Sequence, residues 1–483
     1  MHAPKDIRDL RKADQLEEAY QLALGALQEE PESLYIRREM GWVLYGMVKK
    51  AIQEKDLDAV LNRMEEFFGL DLTGPEEAMV HQNLFQQGVN ALFKFFDPKA
   101  NKTQFQEPVF RQILGFLDQL EFEKPGKEYS WKLRAILRMH EYLDDLAELA
   151  LKWDLTHLRP EDFEPEEYQG KKLPSLAEKA YNAVGRALSE GKVQPDPFGR
   201  WEMQWDEEAI TSFLPDLKRV SEVHSDWWFL HLYRARLMRI TGEPMEEVRK
   251  AMLPLVKKKS GDFWVWQELA ETYADDPEMQ LACLSRAMLC RSPARFLVNI
   301  HQFMAEVLIR EERYAEARTE IDQLVQTREK EGWKIPGPVQ GWMRSAWYAS
   351  ASGKGDNRDM YARLAPKADE VLHVGLPWRV AVIEGVHPHK PMAFYRIDRS
   401  NAGHVPTEML SEKVQPGDLV ELRIENRKGK KGTYAHVLAA RAYSGMPPDG
   451  LVKDLEGTIR RKEGQPFAFL EGVFYRSRIG TGI

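Results

Sequence analysis

Three small or apolar residues, Val248, Ala282 and Ala317, fall at matching places in three helical segments, 34 and 35 residues apart. The clearest of these segments, 312–325, is amphipathic: Tyr314, Ala317, Ile321 and Leu324 recur three or four residues apart and share a face. A helix–turn–helix unit that recurs at a fixed period cannot bury its apolar face alone and must stack on its neighbours. The period therefore predicts a stack of helix pairs, and the segments upstream read as more of the same.

Several of those segments carry the marks of close helix packing. Leu16, Ala19, Ala23 and Ala26 precede Pro31, so small residues meet a neighbouring helix and the proline closes the segment. Gly41 sits at a close-contact position before Trp42 and Tyr45, and 57–68 supplies the partner helix. Further helices are predicted over 77–96, 108–120, 130–151 and 174–188, with long loops near 154–173 and 193–200 where prolines, glycines and acids interrupt the period. The small-residue and proline spacing of 16–31, and the spacing of Trp266 through Tyr273, resemble the tetratricopeptide repeat. The resemblance covers most of 1–371 and is sharpest over 13–50 and 230–330. It implies an α-solenoid whose first helices line a groove for an extended peptide or a protein partner, with Trp266, Tyr273, Trp342 and Trp347 as candidate anchors.

A chain of 483 residues is expected to hold two or more domains. Its start is charged and lacks an apolar core, so no signal peptide is expected, and the longest apolar run, near 40–48, is too short to span a bilayer. Cys283 and Cys290 lie two turns apart on one predicted helix, about 10 Å along its axis and too far to bridge. A reduced, cytoplasmic protein is the expectation. Charge is uneven. Residues 372–483 carry 17 Lys and Arg against 12 Asp and Glu, whereas the remainder carries 51 against 64. A polyanion is expected to meet the tail first.

After Pro377 the pattern changes from a period of 3.6 to a period of 2. Segments 378–386, 392–397, 419–424 and 434–443 alternate like strands, separated by Gly and Pro turns, which predicts a small β-barrel over 372–447. The turn Pro416-Gly417-Asp418 before a strand resembles the S1 and cold-shock families of oligonucleotide-binding (OB) barrels. The sequence predicts a doubled unit: Gly385-Val386 followed by 391–395 parallels Gly457-Thr458-Ile459 followed by 466–470, with the two glycines 72 residues apart. The second copy, 452–483, resembles the beginning of a cold-shock domain and runs 27 residues from Gly457 to Ile483, so it is expected to be an incomplete unit.

In the cold-shock family, alternating strand aromatics stack on unpaired bases. That resemblance assigns stacking to Phe467, Phe469 and Phe474, and phosphate contacts to Arg460, Arg461 and Lys462. Phe394 keeps the position in the first copy, where Met392 replaces the second aromatic. Strand aromatics also fill cores, and both readings stay open. The basic loop carrying Arg427, Lys428, Lys430 and Lys431 either wraps a nucleic-acid backbone or forms a solvated hairpin tip.

No phosphate-binding Gly-rich loop ending in Lys-Ser or Lys-Thr occurs, nor a nucleophile elbow. His387 and His389 lack a third ligand at a recognised spacing. Neither a metal nor another cofactor is expected. Arg134…His140 and Arg219…His224 have the Arg-then-His spacing of helical ribonucleases of the HEPN type, although Ala135 and Val220 follow the arginines where that family has a polar residue. The combination of repeats and barrels, with the stretches 158–163 and 174–181, resembles tetratricopeptide–OB proteins of bacterial conflict and defence systems. The expected function is a non-enzymatic adaptor: barrels hold single-stranded nucleic acid, RNA before DNA, and the solenoid holds a protein. The rivals are a pure protein–protein scaffold and a helical ribonuclease.

Overall fold

The computed structural model describes residues 3–99, 105–195, 201–353, 355–410, 413–429 and 432–448, together with 460–461, 468–470 and 473–475. The chain packs as two units, Met1–Gln280 and Leu281–Ile483.

In the first unit run α1 (Ala3–Lys12), α2 (Leu16–Glu29), α3 (Leu34–Glu54), α4 (Leu57–Phe68), α5 (Ala78–Phe95), α6 (Glu107–Asp118) and α7 (Lys127–Arg138). They are followed by α8 (Leu146–Trp153), α9 (Leu176–Glu190), α10 (Glu207–Val223), α11 (Trp228–Ile240), α12 (Met245–Lys258), α13 (Phe263–Ala270) and the first turn of α14 (Pro277–Met288). Local chemistry sets several starts. The carboxylates of Asp56 and Asp206 and the hydroxyl of Ser175 accept from the backbone N–H groups of Ala59, Ala209 and Glu178 at 3.0, 2.9 and 3.0 Å. Each satisfies a donor that the first turn would otherwise leave unpaired.

Consecutive helices pair from α1 to α6 and again from α7 to α13, and alternate helices touch as well: α1 meets α3, α3 meets α5, α5 meets α7, α7 meets α9, and α9 meets α11. The odd-numbered helices therefore make one continuous layer, with the even-numbered ones packed behind, as a stack of helix pairs requires. Small residues permit the close approach. A Cβ on Gly41 would come 2.8 Å from Leu72, and one on Gly185 would come 2.8 Å from the Cβ of Tyr233. Leu176, Ala180, Tyr181, Val184 and Leu188 of α9 all point into the core, and each large aliphatic buried in this way stabilises the fold by about 1.5–3 kcal/mol.

The two expected loops contain structure. Residues 155–157 and 160–163 form short 3-10 turns, β1 (Glu166–Tyr168) pairs with β2 (Lys171–Leu173), and β3 (Lys192–Pro195) pairs with β4 (Trp201–Gln204). The β1–β2 turn is Gln169-Gly170, with φ of 50° and 72°. Two consecutive left-handed residues suit a tight hairpin. These ribbons are charged and exposed, so no apolar alternation announces them.

The second unit continues with α15 (Ala294–Arg310), α16 (Tyr314–Glu331), α17 (Gly337–Met343), α18 (Ala346–Ser350) and α19 (Arg358–Asp369). Gly332, left-handed at φ 70°, ends α16. The three residues that define the sequence period, Val248, Ala282 and Ala317, are each 0% exposed. Beneath α16 a carboxylate is sealed from solvent: Glu320 lies 2.6 Å from His301 Nδ1 and accepts from Asn357 Nδ2 at 2.6 Å and from the Tyr361 hydroxyl at 2.5 Å.

Beyond the helices lies an antiparallel sheet of five strands: β5 (Arg379–Val386), β6 (Met392–Arg396), β7 (Ala402–Pro406), β8 (Leu419–Gly429) and β9 (Gly432–Ala442). Their order is β7-β6-β5-β8-β9, and β7 lies against β9, so the sheet curls into a nearly closed barrel. Ala381, Ile383, Ala393, Tyr395, Val405, Val420, Leu422 and Val437 fill it. The chain is thus mainly α with a C-terminal β-barrel, as its periodicities predict. Strand β7 has no counterpart among the predicted strands, because Gly403 and Pro406 break up so short a run. Further on, β10 (Arg460–Arg461), β11 (Ala468–Leu470) and β12 (Val473–Tyr475) pair in that order as a small antiparallel sheet. Cys283 and Cys290 are both buried, and among the described residues no helix is long and apolar enough to cross a membrane.

Candidate nucleic-acid interface

The pleat of β6 sends Ala393 and Tyr395 into the barrel and Met392, Phe394 and Arg396 to its outside. Phe394 is 41% exposed, a large ring left in water on a strand whose neighbours in sequence are buried. In register it stands between His404 of β7 and Gly385 of β5. Gly385 has open space where a side chain would begin, so β5 sets no side chain beside the ring. The loop from β5 to β6 brings His387 to 6.4 Å from the Phe394 ring, centre to centre. The His389 N–H donates to His387 Nδ1 at 3.1 Å, which leaves the imidazole's other nitrogen facing away from that bond. Lys390 in the same loop is exposed. Arg396 is tied at 2.5 Å to Glu384, whose carboxylate raises the guanidinium pKa, so this arginine is already neutralised.

The β8–β9 hairpin flanks this face in sequence order. Strand β5 pairs with β8 only over Leu419–Leu422, whereas β8 and β9 stay paired to Gly429 and Gly432. A bulge between Arg423 and Ile424 marks the change, and such an irregularity bends a ribbon. Arg427 and Lys428 lie on the distal part of the arm, opposite Tyr434 and Thr433. Tyr434 is 49% exposed. At the proximal end Trp378 lies against the guanidinium groups of Arg423 and Arg441, at 4.6 and 4.3 Å, and Arg441 also meets Glu421 at 2.7 Å. These two arginines serve the barrel.

In the small C-terminal sheet, Arg460, Phe469 and Phe474 occupy one cross-strand row, and Arg461 is opposite Ala468. Phe467, Lys462, Lys430 and Lys431 lie outside the described residues.

The aromatic anchors expected in the solenoid are arranged otherwise. Trp266 is 0% exposed and its indole N–H donates to Ser260 O at 2.8 Å, so it is a core residue and has no surface to offer a partner. Its position at the tight contact between helices puts it there. Tyr273 is half-buried under the Arg249 guanidinium at 4.6 Å. Trp342 and Trp347 pack against the cluster of Ala305, Ile321, Leu324 and Val339, and Trp347 stacks on Tyr314 at 5.1 Å.

Of the Arg-then-His pairs, His224 is stacked on Trp227 at 4.1 Å and on Phe163 at 5.4 Å, while Arg219 binds Asp216. Arg134 and His140 line one cavity of the first unit. Among the described residues no three His, Cys, Asp or Glu side chains gather as metal ligands would. Sequence reading missed His404, whose pairing with Phe394 exists only because β7 forms; the alternation Ala-Gly-His-Val-Pro is its faint signal.

A family model described as a domain of unknown function, DUF7017, matches residues 228–368. A search of curated proteins returns no match. Among solved structures, the Schizosaccharomyces pombe nuclear import adaptor Nro1 aligns over 70% of this chain and 95% of its own at 11% identity, with a TM-score of 0.18. At that score the likeness carries no argument about fold or role. The family match is confined to the helices α11 to α19 and leaves the barrel outside it.

Proposed function

We propose that this protein is a non-enzymatic adaptor that binds single-stranded nucleic acid, RNA in preference to DNA, on its C-terminal barrel and a protein through its tetratricopeptide-like helices. The observation that carries the first half is the exposed Phe394–His404 pair on the outer face of the second and third barrel strands. We read the order β7-β6-β5-β8-β9, with β7 against β9, as compatible with the circular strand order of an OB barrel, which supports this half. In that fold the face of strands two and three, with the loops after the first and fourth strands, receives oligonucleotides. Here those loops carry His387, His389 and Lys390 on one side and the basic hairpin on the other. Aromatic rings stack on bases without regard to sequence, and lysines and arginines follow the backbone. The alternation of helix layers supports the solenoid half. A place in bacterial defence rests on the sequence resemblance alone, and we attach no mechanism to it.

The test is fluorescence anisotropy of the full chain with labelled single-stranded RNA, single-stranded DNA and duplex at two salt concentrations. Single strands are expected to bind best, more weakly as salt rises. Phe394→Ala, at an exposed position that the core does not need, is expected to remove about 1–3 kcal/mol of binding. Equal binding by Phe394→Ala and the parent chain would remove this face from consideration. Silence with every probe would leave the protein-scaffold reading.

A further inference from the structure

The first unit holds a cavity of about 490 Å³ in its layer of odd-numbered helices, between the end of α5, α7, α9 and α11. That volume lies within the range of small-molecule sites, about 300–1,000 Å³. Helices α7 and α9 each turn one stripe toward it: Arg134, Leu137 and Arg138 from the first, Leu176, Lys179 and Arg186 from the second. The stripes follow the helical period, so the apolar residues make the floor and the cations stand above it.

The charge of this lining is one-sided. Among the described residues four cationic side chains border the cavity and no carboxylate does, in a helical region that is acidic as a whole. Arg134 and Lys179 share one carboxylate, Glu166, with Lys179 at 2.8 Å. Burial opposes ionisation of that carboxylate, yet the hydrogen bonds from Lys179 and Arg134 hold its pKa below the ordinary value. One anion thus serves two cations. Arg138 has no carboxylate partner among the described residues: it gives one N–H to Phe93 O at 3.2 Å and lies over the Phe93 ring at 5.1 Å. A guanidinium has five N–H donors, and most of this one's are unspent. Asn182 also lines the cavity, with a buried Oδ1 that meets no partner. Tyr233 of α11 lines it as well, and Gly185 admits it close to α9.

From this arrangement we infer that the cavity binds a small organic phosphate carrying a flat ring, of mononucleotide size. Arg138, Arg186 and the Arg134–Lys179 pair receive the phosphate, whose oxygens match forked guanidinium donors. Phe93, Leu137, Leu176 and Tyr233 face the ring, and the Asn182 amide pairs with its edge. The site is separate from the barrel face and does not depend on that reading.

The experiment is a fluorescence titration of the full chain with N-methylanthraniloyl-AMP, displaced by AMP, adenosine, inorganic phosphate or an acidic peptide. Saturable binding is expected, with AMP displacing the probe at a concentration at least about tenfold lower than any other competitor. Arg138→Gln is expected to weaken binding about tenfold or more, and Phe394→Ala to leave it unchanged. Should Arg138→Gln fail to fold by circular dichroism, Arg186→Gln replaces it, because Arg186 is exposed and, among the described residues, its ion pair is with Glu190 on its own helix. No saturation at millimolar probe, binding indifferent to both arginine changes, or loss with Phe394→Ala would each overturn the assignment. Displacement by the acidic peptide as readily as by AMP would overturn it in favour of a peptide site.

Discussion

Glu320 illustrates how a single charged residue fixes the packing of three helices. It is fully enclosed, and His301 of α15, Asn357 just before α19 and Tyr361 of α19 all turn their polar atoms to it. Burial, and then the Glu320 carboxylate, push the Tyr361 hydroxyl above its usual pKa, so it remains a donor across the physiological range. Glu320→Ala strands three buried polar groups and is expected to cost about 3–5 kcal/mol. Glu320→Gln keeps an acceptor for Asn357 and Tyr361 and is expected to cost less. Thermal melts followed by circular dichroism check the order; equal melting of Glu320→Ala and the parent would mean that the network holds nothing together. At this scale the sequence is legible only in part. The apolar period around Ala317, Ile321 and Leu324 reveals a buried face, but Glu320 beside it reads as an ordinary surface acid, because its partners lie 19, 37 and 41 residues away. Trp266 misleads in the opposite sense, since an aromatic in a repeat's first helix is spaced alike whether it faces a groove or a neighbour.

Among elements, helix pairing was the most readable property, because small residues at the contacts are local and periodic. The boundaries of α4 agree with the prediction to the residue, and α5, α6 and α9 fall within two of theirs. The physical content of that agreement lies in contacts such as α9 on α11. At Gly185 an added methyl would sit 2.8 Å from Tyr233 Cβ and 3.1 Å from its Cγ, atoms too close to the backbone to swing aside. Gly185→Ala gains about 1 kcal/mol in helix propensity, but overpacking of this kind costs about 1–3 kcal/mol. We expect a net loss, read as a lower melting temperature; a rise would show that α11 yields. Strand β7 and the ribbons β1–β2 and β3–β4 were not legible. A strand of three to five residues bearing glycine, proline or charge is held by its partner's ladder, and that partner is invisible to a local pattern.

For the whole molecule, the contrast of periods divides helices from barrel, and the contrast of charge follows the same line. The barrel's candidate face was readable only as scattered basic and aromatic residues. What gathers Phe394, His404 and the loop histidines is strand register, a property of pairing across the sheet. The β8–β9 arm adds a dimension that composition cannot supply. From Arg423 to Gly429, seven residues of β8 have β9 but no longer β5 as their hydrogen-bonded neighbour. At about 3.3 Å per residue this arm measures about 23 Å. On the proposed nucleic-acid reading, it would work as a ruler laid along the bound strand and set how many nucleotides one molecule occupies. OB barrels cover about 4–16 nucleotides, and on that same reading an arm of this length would place the occluded stretch toward the upper half of that range. Titration with oligonucleotides of increasing length is expected to show affinity climbing past the shortest strands before it levels off, and a plateau at four would mean that the arm lies off the track.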